Sequence, residues 1–437
     1  MEIQKPSFKE AFLFWLKLGF ISFGGPAGQI AIMHEFLVEK KKWISESKFL
    51  HALNYCMVLP GPEAQQMSIY SGWLLHGVRG GLVAGILFVL PSVFILLGLS
   101  VLYVSFGTLP MVNALFSGLK PAVVAIIILA LIKISKKSLS SYLHYVIALF
   151  SFVAIFFFNV PFPLIIISSI IIAFAVQQFA PQILQSKKSE KEKALVEEGY
   201  FINANTVLKH AGFSWKRIIQ QILIGSLLWL LPLVLIYFFI SDTYFWNSLS
   251  LFFTKAALVT FGGAYSVLPY VAQISVEKFH WLNSSQMMDG LALGETTPGP
   301  LIMVLAFVGF MGGYNHYTNS LLFGTVGLFV TVWFTFLPCF LFVLIGAPII
   351  EKTQHNFKIK SLLSIISAAV VGVILNLTVY LSKAVLFFQT VSFSSINWFN
   401  LLWISLSIIA LHRLKISMIA WIGISALAGL GYYLVFS

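Results

Sequence analysis

Two Pro-Gly-Pro triplets, Pro60-Gly61-Pro62 and Pro298-Gly299-Pro300, interrupt stretches that are otherwise apolar. Proline costs about 3 kcal/mol and glycine about 1 kcal/mol in a helix interior. In an apolar setting the freed backbone groups persist only where protein or water satisfies them. The triplets therefore read as deliberate breaks, and the helix that restarts after each would present amides at the positive end of its dipole. That is anion-binding chemistry. Upstream of each triplet lies a glycine pair, Gly24-Gly25 (followed by Pro26) and Gly262-Gly263, and seven residues before each pair stands a lysine, Lys17 or Lys255. Lysines there would supply point charge to a divalent oxyanion. The competing reading has them snorkel to a headgroup region and the breaks serve as packing kinks. Gln29, Gln65 and Gln66 would donate to an oxyanion or satisfy freed carbonyls.

Carboxylates accompany the breaks. Glu63 follows the first triplet directly, Glu295 precedes the second, and Asp289 lies a little earlier. Beside a helix break in an apolar medium a carboxyl group would carry a proton, giving Glu63 and Glu295 a proton-coupling role. The rival reading makes them charge partners for a cation. Lys120, just before Pro121, is a third lysine to set beside Lys17 and Lys255, or a boundary lysine. Spacings of 17 and 25 residues between His34, His51 and His76 give no metal-ligand signature. No P-loop, G-x-S-x-G or H-E-x-x-H motif occurs. The sequence thus predicts no catalytic residues, no metal and no cofactor, and argues against an enzyme.

The elements that hold these residues follow from composition. Of 437 residues 59 % are hydrophobic and only 10 % charged, and mean hydropathy is +0.92. Soluble domains carry about a quarter charged residues, so water is not the main solvent. Continuously apolar windows at 80–119, 138–186, 218–241, 296–350, 361–382, 384–411 and 416–437 exceed the roughly 20 residues a span needs. They lack the alternation of a β-barrel, and several hold two helices, divided near Gly107–Pro110 and at Pro161-Phe162-Pro163. A formal charge of +12 reads as positive-inside bias, not as a nucleic-acid surface. Cys56 and Cys339 form no redox or zinc motif. The opening MEIQKPSFKE runs into an apolar stretch without a cleavage site and is expected to be retained. Trp43 and Trp281 read as interface anchors.

The chain repeats itself. Lys17–Pro62 aligns without a gap on Lys255–Pro300 at an offset of 238, matching Lys17/Lys255, Phe23-Gly24-Gly25/Phe261-Gly262-Gly263, Glu39-Lys40/Glu277-Lys278, Trp43/Trp281, Ser47/Ser285, Leu53/Leu291 and both triplets. Internal duplication of this kind is common among secondary transporters. The polar stretch 187–217 divides an N-terminal half (1–186) from a linking helix and loop (218–248) and a C-terminal half (249–437). Basic clusters at Lys133–Lys137, 187–217, Lys352–Lys360 and Arg413–Lys415 fall on one side, expected to be cytoplasmic, if spans lie near 82–104, 111–132, 142–157, 160–179, 217–240, 319–347, 362–386, 397–411 and 415–435. Lys40, Lys41, Lys42 and Lys48 join that side only if segments 11–33 and 49–75 dip in and return. Segments 249–272 and 285–311 would do so from the opposite face, making the halves an inverted pair.

The stretch from Phe14-Trp15-Leu16-Lys17 through Ser45, with Leu59-Pro60-Gly61-Pro62-Glu63-Ala64 and Leu87-Phe88-Val89-Leu90-Pro91-Ser92, resembles the chromate ion transporter family in its long, two-domain form. Phe261-Gly262-Gly263-Ala264, Leu268-Pro269 and Thr297-Pro298-Gly299-Pro300-Leu301 resemble that family's second domain. The resemblance implies export of chromate, or of sulfate or a related oxyanion, through the inner (plasma) membrane on a membrane gradient. The family's first glycine motif usually continues to a histidine, where Gln29 stands here. The expected protein is all-α and polytopic, with inverted repeats of broken helices. Its oxyanion site would be formed by Lys17, Gly24, Gly25, Pro26, Gln29, Pro60, Gly61, Pro62, Lys255, Gly262, Gly263, Pro298, Gly299 and Pro300. Expected partners are the oxyanion, protons and lipid, with a homo-oligomer open and no nucleic acid. A passive anion channel and a structural membrane protein are the alternatives.

Overall fold

A computed structural model describes residues 5–436 apart from 24, 58, 108, 180–198, 204, 205, 207, 209, 211, 213, 241, 262, 353–356 and 388–391. Sixteen α-helices and no strand occur among the described residues. Among the described residues seven helices are long and apolar enough to cross a membrane. The chain is an all-α, multi-pass membrane protein, as its composition requires.

The first half begins with two helical hairpins. Helix α1 (Phe8–Ile21) runs in, breaks, and α2 (Gly25–His34) returns through a π turn (Glu35–Lys40). Antiparallel packing is shown by Phe14 stacked on Phe36 at 3.8 Å and by Lys41 paired with Glu10 at 2.8 Å. The second hairpin pairs α3 (Glu46–Cys56) with the first limb of α4 (Glu63–Phe106). Helix α4 is not straight. His76 and Gly77 leave helical geometry, with Gly77 at φ +64. A Cβ on Gly72 would strike the carbonyl of Gly80, and one on Gly80 that of Gly72. Residues 77–106 therefore fold back on 63–76 as a close antiparallel limb, which the glycines permit. His76 meets the Pro6 carbonyl at 3.0 Å, so the chain start, Lys41 and His76 share one base. Connector residues Phe201 and Ile202 bond to Lys42, Trp43 and Ser45 at that base.

Helices α5 (Pro110–Ser138), α6 (Tyr142–Phe158) and α7 (Phe162–Phe179) complete the half, and α8 (Trp215–Phe239) links it to the second. There the pattern recurs. Helix α9 (Thr243–Val259) runs in and α10 (Leu268–Gln273) with its flanking turns returns. Helix α11 (Ser284–Thr296) runs in and α12 (Val304–His316) returns. Helix α13 (Leu321–Lys352) then crosses, followed by α14 (Phe357–Leu386), α15 (Trp398–Ile408) and α16 (Met418–Phe436). At the base of this half Phe245 stacks on His316, Trp246 donates to the Tyr317 hydroxyl at 2.8 Å, and Asp242 meets His316 at 2.5 Å. The His316 hydrogen bond holds the Asp242 carboxyl below the usual carboxylate range.

Helix α13 starts at this second base, where Phe323 stacks on Tyr317, and ends at the first, where Glu351 pairs with Lys48. The two bases thus lie at opposite ends of one helix about 48 Å long. Trp43 and Trp281 are not interface anchors. Both are buried, Trp43 against Phe14 and Phe36 and Trp281 stacked on Phe279 at 4.4 Å. Each closes the root of a hairpin, where a large rigid side chain fills the gap between diverging helices.

Candidate functional site

The four helix breaks meet, and they meet across the halves. The amide of Gly61 donates to the Thr260 carbonyl at 2.7 Å, and the amide of Gly299 donates to the Ser22 carbonyl at 2.7 Å. Ser22 and Thr260 are related by the offset of 238, as are Gly61 and Gly299. One relation therefore repeats twice: the triplet of each half rests on the first break of the other. Gly61, Gly263 and Gly299 hold φ of +129, +95 and +90, a region closed to most side chains, and Gly25 holds +68.

Other groups lock each meeting point. Gln29 is buried and donates through Nε2 to the Gly299 carbonyl at 2.5 Å and to the Ser22 carbonyl at 3.3 Å. Ser92 on the second limb of α4 donates to the Pro298 carbonyl at 2.5 Å. At the other meeting point Gln66 donates to the Pro60 carbonyl at 2.7 Å, and the Cys339 thiol of α13 faces Gly61. The two readings of the paired glutamines divide between them. Gln66 satisfies a freed carbonyl, whereas the buried Gln65 amide has no partner among the described residues.

Glu63 opens α4, and its Oε1 lies 3.8 Å from where a Cβ on Gly263 would stand. Glu295 is buried and accepts from the Tyr265 hydroxyl at 3.0 Å. Both carboxylates thus converge on the Gly263–Tyr265 turn. Asp289 serves elsewhere, taking a hydrogen bond from Tyr103 at 2.9 Å and an ion pair from Lys120 at 3.3 Å. Gly24 and Gly262 lie outside the described residues. Gly25, Pro26, Pro60, Pro62, Pro298 and Pro300 flank the meeting points.

Lys17 and Lys255 are not brought to the breaks. Each projects from an exposed face, Lys17 beside Leu13 and Phe20, Lys255 beside Leu251 and Leu258. The cause is helical register: Ala11, Phe14, Trp15 and Leu18 turn inward and leave position 17 outside. The structure thus places both lysines apart from the breaks that the sequence grouped them with. Ser92, Cys339 and Tyr265 are the residues sequence reasoning missed. The first two had a signal, since Leu90-Pro91-Ser92 recurs as Leu337-Pro338-Cys339 at an offset of 247.

The chromate transporter family model matches residues 9–174 and 246–430, most of the chain and both sets of hairpins. The chain belongs to the chromate transporter family. Among relatives of this transporter is a probable chromate transport protein of Synechococcus elongatus, 29 % identical over 86 % of this chain and 85 % of the relative. A chromate transport protein of Cupriavidus metallidurans is 28 % identical over 86 % and 82 %. An uncharacterised transporter of Methanocaldococcus jannaschii is 28 % identical over 86 % and 84 %. No solved structure matches the chain.

Proposed function

We propose that this transporter exports chromate, or a related divalent oxyanion, through a plasma membrane in exchange for protons. The reciprocal pair of hydrogen bonds between helix breaks carries the reading. Those breaks put the starts of α2 and α4 and the helical turns after Gly263 and Pro300 around one centre. Amide dipoles there favour an anion. The opposed bases on α13 support inverted halves, residues 1–186 and 249–437, hinged where the breaks touch. The lysine-rich first base would then be cytoplasmic.

A dianion and an ionised carboxylate repel at this centre, so Glu63 and Glu295 supply the proton step. The test is anion-dependent proton flux in proteoliposomes, with chromate, sulfate and molybdate under an imposed pH gradient. Saturable chromate movement opposed by protons is expected, and Glu63→Gln should abolish the proton flux. Protons moving with the anion would overturn exchange. Anion flux without proton movement would make the protein a uniporter. Lys17→Met and Lys255→Met are expected to leave the KM for chromate unchanged in the same vesicles, because neither side chain reaches the breaks.

A further inference from the structure

The first limb of α4 carries Gln65, Ser68 and Ser71, spaced by three residues and so aligned on one stripe of the helix. All three are fully buried, at 0 % exposure. Both polar atoms of Gln65 and both serine hydroxyls lack a hydrogen-bond partner among the described residues. Buried polar groups in native proteins nearly always find partners, and an exception calls for a specific cause. Helix chemistry offers these serines an easy remedy that they do not take. Ser22, Ser100 and Thr260, equally buried, donate to the carbonyl four residues back at 2.6, 2.7 and 2.6 Å.

Architecture does not demand polarity here either. At the same offset of 238 the returning limb of the second half has Met303, Ala306 and Gly309. The two limbs occupy matching positions in their hairpins, yet α12 itself carries no donor there, and the hydroxyl that faces Gly309 comes instead from Thr331 of α13, also buried and without a partner among the described residues. The stripe begins within one turn of Glu63 and the Pro60-Gly61-Pro62 break and runs about 9 Å toward the lysine-rich base.

We propose that Gln65, Ser68 and Ser71 are selectivity-determining donors that line the path of the oxyanion between that base and the meeting of the breaks. The inference rests on the oxyanion-transport reading and deepens it. A tetrahedral dianion shedding water needs hydrogen-bond donors at successive depths, and one amide followed by two hydroxyls provides them.

The test measures transport and stability together. In proteoliposomes, Ser68→Ala with Ser71→Ala should raise the KM for chromate about tenfold or more, the scale of losing a hydrogen bond to a charged partner. It should also change the ratio of chromate to sulfate transport. The melting temperature should stay level or rise, because unsatisfied groups have been removed. Unchanged transport with a raised melting temperature would overturn the proposal, since the hydroxyls would then be mere packing defects. Should the double variant fail to fold, Ser71→Cys in a Cys56→Ala, Cys339→Ala background decides. Labelling by a small charged thiol reagent, slowed by sulfate, is expected, and a thiol that never labels would overturn the path. Parent protein that moves none of chromate, sulfate or molybdate removes the transport reading and this inference together. Parent transport with unaffected variants removes this inference alone.

Discussion

Replacing Glu351 with alanine is expected to cost about 3–5 kcal/mol, the scale of stranding a buried charge. The midpoint of thermal or denaturant unfolding in detergent would record it. Lys48 is 3 % exposed and Glu351 10 %, and their charged atoms lie 2.5 Å apart. Tyr70 donates to the other carboxylate oxygen at 2.6 Å. Without the carboxylate, the Lys48 ammonium stays buried without its counter-ion and Tyr70 loses its acceptor. The pair itself contributes little net stability, because desolvating two ions offsets their attraction. Lys48→Met with Glu351→Leu should therefore recover most of the loss. Lys41, seven residues away in the same basic cluster, pairs with Glu10 at 2.8 Å with both side chains 43 % exposed. Lys41→Ala should cost only about 0–1 kcal/mol. Equal effects of Glu351→Ala and Lys41→Ala would show that burial does not govern this pair.

That contrast marks a limit of what sequence conveys. The four lysines at 40, 41, 42 and 48 read alike as a cytoplasmic cluster, yet Lys48 turns into the protein to meet a residue 303 positions on. Helix register hints at the burial, and nothing local names the partner. The breaks were legible because proline and glycine have fixed backbone consequences, and the duplication was legible because those residues recur at one offset. Segment ends were legible for a similar reason, since apolar runs must match bilayer thickness.

The bend at His76–Gly77 was harder to see. A single glycine at φ +64 replaces what the second half builds with residues 317–320 between α12 and α13. The resulting length difference moves the offset from 238 to 247, which hid the match of Ser92 to Cys339. The pairing of breaks between halves is a tertiary fact. Either triplet could have rested on its own half, and periodicity within one segment carries no information on that choice. The placement of Lys17 and Lys255 away from the breaks was hidden for a related reason. An intramembrane lysine signals function only once its face is known, and register on α1 and α9 turns both outward.

The cross-half contacts make the second large effect specific. Gly299→Ala is expected to reduce transport by more than tenfold. A residue forced to φ +90 stores about 1–3 kcal/mol of strain, and the new Cβ would also run into the Ser92 hydroxyl, with Ser92 Cβ at 3.1 Å. Relief would push the triplet away from Ser22 and break the 2.7 Å bond between the halves. Gly61→Ala should act likewise, because its Cβ would stand 2.6 Å from Cys339 Sγ and 2.7 Å from Gln66 Nε2. Gly263→Ala separates strain from crowding. Its φ is +95, but the nearest atom to a new Cβ is Glu63 Oε1 at an ordinary 3.8 Å. It should therefore lose less than either triplet glycine. Ser92→Gly in the Gly299→Ala background removes the crowding and leaves the strain, so partial recovery is expected. Initial rates of anion uptake into proteoliposomes, scaled to folded protein, rank the four variants. If Gly263→Ala proves as damaging as Gly299→Ala, and Ser92→Gly recovers nothing, backbone conformation alone governs the breaks. The fit of each triplet against the other half's crossing helix would then have no role in transport.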